Sequence, residues 1–149
     1  MADQRDNEVR KGAHCAWQIH YHIVFPVKYR KALLDEKVCK AIREIATEIE
    51  LRYEIAFEEL GADINHIHIL CSFHPKLSGG DLVRIFKSIT TKELFKRFPE
   101  LRKELWGGEF WADGYYLATI SNRGNWKTVE QYIKNQGKTI EEAQLRIFK

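Results

Sequence analysis

ADINHIHILCSF, residues 62–73, is the stretch of sequence that decides the fold. Its apolar side chains recur at every second position, and such positions share one face of a β-strand: Ile67, Ile69, Cys71 and Phe73. The stretch therefore predicts a strand with one buried face. His66 and His68 fall on the opposite face, where both imidazoles can reach one divalent ion.

The segments on the N-terminal side of this strand predict two more strands and a helix. Clean alternation over residues 15–25 predicts a half-buried strand. Asp35 can cap a helix whose apolar residues recur at helical spacing. Residues 53–60 predict a strand that pairs with residues 64–73 as a hairpin, with the turn at residues 61–63.

The segments on the C-terminal side complete a recognisable order of elements. Ser78 introduces a second helix that ends near Pro99, a last strand is predicted over residues 115–121, and a final helix over residues 126–136. The order β-α-β-β-α-β predicts an α+β, ferredoxin-like fold, also called RRM-like. An antiparallel sheet then carries two helices on one face, and the last helix is appended at the C-terminus.

This fold predicts where the histidines of two strands meet. The first and third strands are central neighbours in a ferredoxin-like sheet, so His20 and His22 are expected near His66 and His68. All four imidazoles are predicted on the face that the two helices leave open. Four histidines on one face are also compatible with a structural zinc ion, and this alternative stays open.

Composition is that of a soluble globular protein. The 149 residues are 44% hydrophobic and 30% charged, which predicts one domain over residues 1–149, with a polar N-terminal arm at 1–14 and a tail at 137–149. The net charge of +3 permits a polyanionic partner without requiring one. Three cysteines in no metal-type spacing, no membrane-length apolar run and a polar N-terminus predict a cytoplasmic protein with reduced thiols and no membrane association.

The histidine pair and a second motif together resemble a known enzyme family. The second motif is YIKNQ, residues 132–136, in which Tyr132 and Gln136 share one face of the predicted helix. With YHIVFPVKYR at 21–30, LVRIFKSITT at 82–91 and FWADGYY at 110–116, these motifs are similar to those of the single-tyrosine HUH transposases of small insertion sequences. Repeat-associated tyrosine transposases are related to that family. The resemblance extends from about residue 21 to residue 136.

The resemblance implies a complete catalytic site. It makes Tyr132 the nucleophile and His66, His68 and Gln136 the ligands of a divalent metal, either Mg²⁺ or Mn²⁺. Attack of the phenol on a phosphodiester would leave a 5′-phosphotyrosine link and a free 3′-hydroxyl. A 3′-hydroxyl of another strand can then reverse the step and rejoin DNA without ATP.

The resemblance also implies the substrate and the assembly. The substrate would be single-stranded DNA with imperfect hairpins at the ends of the element. The active form would be an obligate homodimer in which the helix at 126–136 completes the metal site of the partner. Basic and aromatic side chains are predicted to contact the single strand: Lys28, Tyr29, Arg30, Lys31, Arg84 and Lys87.

Three other functions stay open at this stage. A ferredoxin-like module could bind nucleic acid on its open sheet face without catalysis, although that face carries histidines in place of a stacking aromatic pair. A metal-binding protein could use His20, His22, His66 and His68. A domesticated relative acting on dispersed chromosomal repeats would use the same chemistry as a monomer.

Overall fold

The computed structural model describes residues 9–120. Its strands are β1 (Arg10–Lys11), β2 (Ala16–Trp17), β3 (His20–Pro26), β4 (Ile55–Asp63), β5 (His66–Phe73) and β6 (Tyr116–Ile120). Its helices are α1 (Glu36–Arg52), α2 (Gly79–Arg97) and the short α3 (Leu101–Glu104), with 3₁₀ turns at Lys28–Arg30 and Trp106–Gly108. The predicted helix at 126–136, with Tyr132 and Gln136, and the tail at 137–149 lie outside the described residues.

The main sheet has the predicted ferredoxin-like topology. Its strand order is β4-β5-β3-β6, and every neighbouring pair is antiparallel. β3 and β5, the first and third strands of the β-α-β-β-α-β unit, are therefore the two central strands. β1 and β2 form a separate two-stranded ribbon.

Both long helices begin at the caps that the sequence predicts. The Asp35 side chain accepts a hydrogen bond of 2.9 Å from the backbone N–H of Val38. Ser78 and Asp81 form a capping box, in which each side chain accepts a hydrogen bond from the other residue's backbone N–H at 3.0 Å. Both helices pack their apolar sides on the sheet, against a core that includes Ile23, Phe25, Ile67, Ile69, Cys71 and Phe73.

Two predicted boundaries are wrong. The strand predicted over residues 15–25 is divided into β2 and β3, which belong to different sheets. The turn predicted at residues 61–63 lies at residues 64–65 instead, and residues 61–63 continue β4. The reason is that a two-residue connection is sufficient for an antiparallel hairpin, so the ladder runs on until Asp63 pairs with His66.

The sheet face opposite the helices is largely buried along its two central strands, so the prediction of an open face is wrong there. His22, His66 and Leu70 on this face are 6%, 2% and 1% exposed. The face is not purely polar, because Leu70 and Ile120 form a small apolar cluster on it, and exposing them to water would be unfavourable.

The ribbon of β1 and β2 gives part of the cover at one end of the sheet. Trp17 is buried, and its ring centroid lies 4.7 Å from that of His74, the residue that follows β5.

Within residues 9–120, no helix has the length and apolarity needed to span a membrane.

Candidate active site

The predicted histidine pair lies on one face of the central strand β5. His66 and His68 pair with Pro26 and Val24 of β3 on one side, and with Asp63 and Gly61 of β4 on the other. The alternating residues Ile67 and Ile69 point into the core instead. The two imidazoles therefore project away from the helices, as the sequence predicts.

Oxygen atoms lie close to both ring nitrogens of His66. His66 Nδ1 lies 3.0 Å from Asn65 Oδ1, and His66 Nε2 lies 3.1 Å from Asp63 Oδ2. The imidazole is 2% exposed, whereas the Asp63 side chain is 57% exposed. A carboxylate next to a metal-ligating histidine orients the imidazole ring and stabilises positive charge near it. Sequence reasoning missed Asp63, because it assigned that residue to a turn.

His68 and His22 form a second, electrically neutral part of the cluster. Burial lowers the pKa of His68 to about 4, the charge of His66 lowers it further, and Asp63 opposes the shift. The pKa of His22 is also lowered to about 4, mainly by burial and secondly by electrostatic repulsion from His68 when that ring is protonated. Both rings are therefore unprotonated at neutral pH, the state in which imidazole binds a metal ion.

Two ring nitrogens in this cluster are buried without a hydrogen-bond partner in the described part of the chain. They are His68 Nδ1 and His22 Nε2. Buried polar atoms in folded proteins almost always have a partner, so an unpaired one marks a position where another group can bind. Neutral imidazoles with unused nitrogens fit a divalent ion.

The four-histidine zinc site considered from the sequence is not formed. His20 Nδ1 is 2.8 Å from Glu58 Oε1, and both side chains are less than 10% exposed, so this imidazole is part of a separate pair. Among residues 9–120, no three His, Cys, Asp or Glu side chains are arranged to hold a metal ion. A metal at His66 and His68 therefore needs a ligand from elsewhere, and the predicted ligand Gln136 lies beyond the described residues.

Three of the predicted DNA contacts lie in the turn that follows β3. Lys28 forms an ion pair with Glu109, and its Nζ atom is 5.7 Å from the centre of the Tyr29 ring. Tyr29 and Arg30 adopt left-handed φ angles of 59° and 53°, which side-chain-bearing residues rarely adopt. The Tyr29 ring is held outward and is 59% exposed. Lys31, next in the chain, lies 3.3 Å from Glu104.

Lys87 has a structural use that the sequence does not reveal. Its Nζ atom donates hydrogen bonds to the carbonyl oxygens of Ala112 at 2.7 Å and Gly114 at 3.0 Å. It also lies 5.0 Å from the centre of the Phe25 ring. Burial lowers the pKa of Lys87, while Asp113 and Glu109 oppose the shift. Lys87 thus joins α2 to the loop before β6, and its contact with DNA stays a prediction.

A cleft of about 630 Å³ brings Arg84 and Lys87 together. It lies between α2 and residues 108–115, and Lys92 and Arg102 also line it. The Arg84 side chain is 73% exposed, and its guanidinium is 2.7 Å from Asp81. Glu109 and Asp113 line the cleft as well, so the four cations leave an excess of positive charge, which suits a phosphodiester backbone.

Comparison with known proteins identifies a common family for the matched region. Residues 15–136 match the family described as "Transposase IS200 like". The chain is 28% identical over 129 residues to the ISDra2 transposase TnpA of Deinococcus radiodurans, covering 87% of this chain and 91% of that protein. It is 30% identical over 124 residues to the transposase for insertion sequence element IS200 of Salmonella typhimurium, covering 83% and 80%.

Solved structures of transposases share the fold. A crystal structure of a transposase from Deinococcus radiodurans superposes with a TM-score of 0.68 at 27% identity, covering 85% of this chain and 97% of that one. A REP-associated tyrosine transposase, solved bound to a REP hairpin, has a TM-score of 0.55 at 12% identity, covering 76% of this chain and 63% of that one. The second likeness concerns the fold alone.

Proposed function

The chain belongs to the IS200-like transposase family, and from this premise we propose that it cuts and rejoins single-stranded DNA with Tyr132 as its nucleophile. As a transposase it is a DNA-cleaving enzyme.

The observation that carries the proposal is the state of the histidine pair. His66 and His68 lie two residues apart on one strand face. Burial keeps the pKa of His68 far below neutral, and its Nδ1 atom has no hydrogen-bond partner within residues 9–120. A half-buried, neutral imidazole with an enclosed, unpaired ring nitrogen is costly to maintain and is suited to ligating a metal ion.

The proposed ligands are His66, His68 and Gln136, and the ion is Mg²⁺ or Mn²⁺. Bound there, the ion supplies Lewis-acid stabilisation of charge on the phosphoryl oxygens. Asp63 has a supporting role, because its carboxylate beside His66 Nε2 favours positive charge at this point. Two imidazoles and one amide would leave room for oxygen atoms of the substrate.

Tyr132 performs the covalent step of the proposal. Its phenolic oxygen attacks the scissile phosphorus, a new P–O bond forms to the tyrosine, and the bond from phosphorus to the 3′-oxygen breaks. The phenol loses its proton, and the departing 3′-oxygen gains one. The DNA then carries a 5′-phosphotyrosine link and a free 3′-hydroxyl, and attack by a 3′-hydroxyl reverses the step and joins strands.

The proposed substrate is single-stranded DNA with hairpins at the ends of the element. The structural neighbour of similar fold was solved with a REP hairpin, which supports hairpin binding by this fold. On this chain the outward Tyr29 ring suits base stacking, and Arg84 suits phosphate contact. Lys28 and Arg30 are proposed to assist in the turn after β3. Because the substrate is cellular DNA, we place the activity in the cytoplasm.

The proposed assembly is a homodimer in which Tyr132 of one subunit serves the histidines of the other. The supporting observation is that residues 9–120 provide only part of a ligand set around His66 and His68. A second segment must complete it, and a partner subunit can supply that segment as well as the same chain can.

The experiment detects the covalent intermediate. Purified protein is mixed with a labelled single-stranded oligonucleotide carrying an element-end hairpin, with Mg²⁺, Mn²⁺ or EDTA, and is run on a denaturing gel. We expect a metal-dependent protein–DNA adduct, which Tyr132→Phe abolishes while hairpin binding in a gel-shift assay is retained. Tyr53→Phe, the same change at a half-buried tyrosine after α1, is the matched control and should form the adduct. An adduct that persists in Tyr132→Phe would assign the nucleophile elsewhere.

A further inference from the structure

The edge strand β4 places a glycine directly opposite His68. Gly61 and His68 are cross-strand partners in the hairpin of β4 and β5. Directly opposed side chains in an antiparallel pair have Cβ atoms only about 4.5–5.5 Å apart, so the residue at position 61 controls the space beside the imidazole.

The imidazole of His68 occupies the space that a side chain at position 61 would need. A Cβ atom built on Gly61 would lie 2.0 Å from His68 Cε1, 2.5 Å from Nε2 and 2.9 Å from Nδ1. These three atoms form one edge of the ring, and none can be that close to a carbon without a clash. The ring therefore lies over the bare Cα of the glycine.

The backbone of Gly61 does not explain why the residue is glycine. Its φ angle lies outside the left-handed region, so an L-residue could adopt the same conformation. Glycine inside a strand also weakens the strand, because it has no side chain to pack. The space given to His68 is the remaining physical reason for glycine at this position.

From these contacts we propose that Gly61 is a positioning residue that seats the imidazole of His68 for metal binding. The inference rests on the proposed function, since His68 is a ligand only within it. It assigns β4 a role at both histidines: Asp63 lies against the ring of His66, and Gly61 leaves the space for the ring of His68.

The test is Gly61→Ala, which adds one methyl group where the ring now lies. We expect the His68 ring signals in a ¹H–¹⁵N spectrum of the metal-free protein to move. We also expect Mn²⁺ affinity, measured by calorimetry, to fall about 10- to 100-fold, as for changes that displace a metal ligand through its neighbour. The urea midpoint should stay close to wild type, because alanine fits an extended strand. Gly80→Ala is the matched control, since a Cβ there would meet only side-chain oxygens of Tyr115 and Ser78, at 3.2 and 3.7 Å.

A double-mutant cycle separates positioning from a general effect on the strand. In a His68→Ala background the ring is gone and the methyl group at 61 has space, so Gly61→Ala should cause no further loss of Mn²⁺ affinity. An equal further loss in that background, or unmoved His68 signals with wild-type Mn²⁺ affinity in the single variant, would overturn the inference.

The same variants distinguish failure of this inference from failure of the proposed function. If His68→Ala alone retains wild-type Mn²⁺ affinity and adduct formation, the proposed metal role of His68 is wrong, and the role of Gly61 in metal binding falls with it. If His68→Ala loses both while Gly61→Ala loses neither, the proposed function stands and only the inference about Gly61 is wrong.

Discussion

Replacing His22 should remove part of the acid sensitivity of the fold. The imidazole is 6% exposed, and burial followed by the charge of His68 lowers its pKa from 6.5 to about 4. Below pH 6.5 the unfolded chain takes up a proton at this residue that the folded chain refuses until about pH 4. Stability of the metal-free protein therefore falls as pH drops through this window, and it is fully present above pH 6.5.

The magnitude follows from the size of the shift. A difference of about 2.5 pKa units, at about 1.4 kcal/mol per unit, corresponds to an effect on the order of 3 kcal/mol for complete passage from pH 6.5 to pH 4. The contribution of His22 measured alone should be smaller than this, because protonating His68 first makes protonation of His22 harder.

The assay is urea denaturation at several pH values between 7.5 and 4, in EDTA, for wild type, His22→Gln and His14→Gln. The free energy of unfolding of His22→Gln should fall less steeply below pH 6.5 than that of wild type, so that the two curves converge or cross. His14 is exposed, and its replacement controls for the loss of one histidine. Parallel curves for wild type and His22→Gln would refute the account of a neutral, buried imidazole.

Two further predictions concern the loop before β6 and the subunit arrangement. Lys87→Met should lower the free energy of unfolding by about 1 kcal/mol, because the partly buried carbonyl oxygen of Ala112 and the exposed one of Gly114 lose their donor. Urea denaturation measures the change, and Lys92→Met at an exposed position of α2 is the control. Equal stability of both variants would contradict the prediction. Mixing the Tyr132→Phe and His68→Ala proteins should restore the adduct, because a mixed dimer contains one site with both the tyrosine and the histidine pair intact. If subunits exchange freely, we expect roughly a quarter of the wild-type adduct. A mixture as inactive as its components would mean that the tyrosine and the histidines act within one subunit.

The sequence was sufficient to predict the fold because local and long-range signals agree. Asp35 and Ser78 begin the helices at the predicted places, and the alternation in residues 67–73 marks the face that the helices cover. The β-α-β-β-α-β order then leaves few possible sheets, and the strand order β4-β5-β3-β6 is the expected one. The shared face of His66 and His68 follows from the same alternation.

The surroundings of the histidines could not be predicted, because they depend on contacts between distant segments. His20 and His22 are two residues apart on β3, yet His20 pairs with Glu58 of β4, while His22 is coupled to His68 of β5. Sequence spacing treats the two imidazoles alike, whereas the folded sheet gives His20 a partner on β4, two strands away, and places His22 near His68 on the adjacent strand β5. Lys87 is similar, since its carbonyl acceptors lie about 25 residues further along the chain.

One irregularity in β4 explains how Gly61 comes to face His68. Phe57 pairs with Cys71, but Glu59 pairs with Leu70, so Glu58 is an extra residue in the strand. Without that bulge the register set by Phe57 would place Leu60 opposite His68, and its side chain would occupy the space of the ring. With the bulge, Phe57 and Leu60 both pack against the core although they are three residues apart. In the sequence the bulge is indicated by Phe57 and Leu60, two apolar residues separated by two glutamates where strict alternation would have one polar residue. A strand that alternated strictly from Phe57 onward would not have placed Gly61 opposite His68.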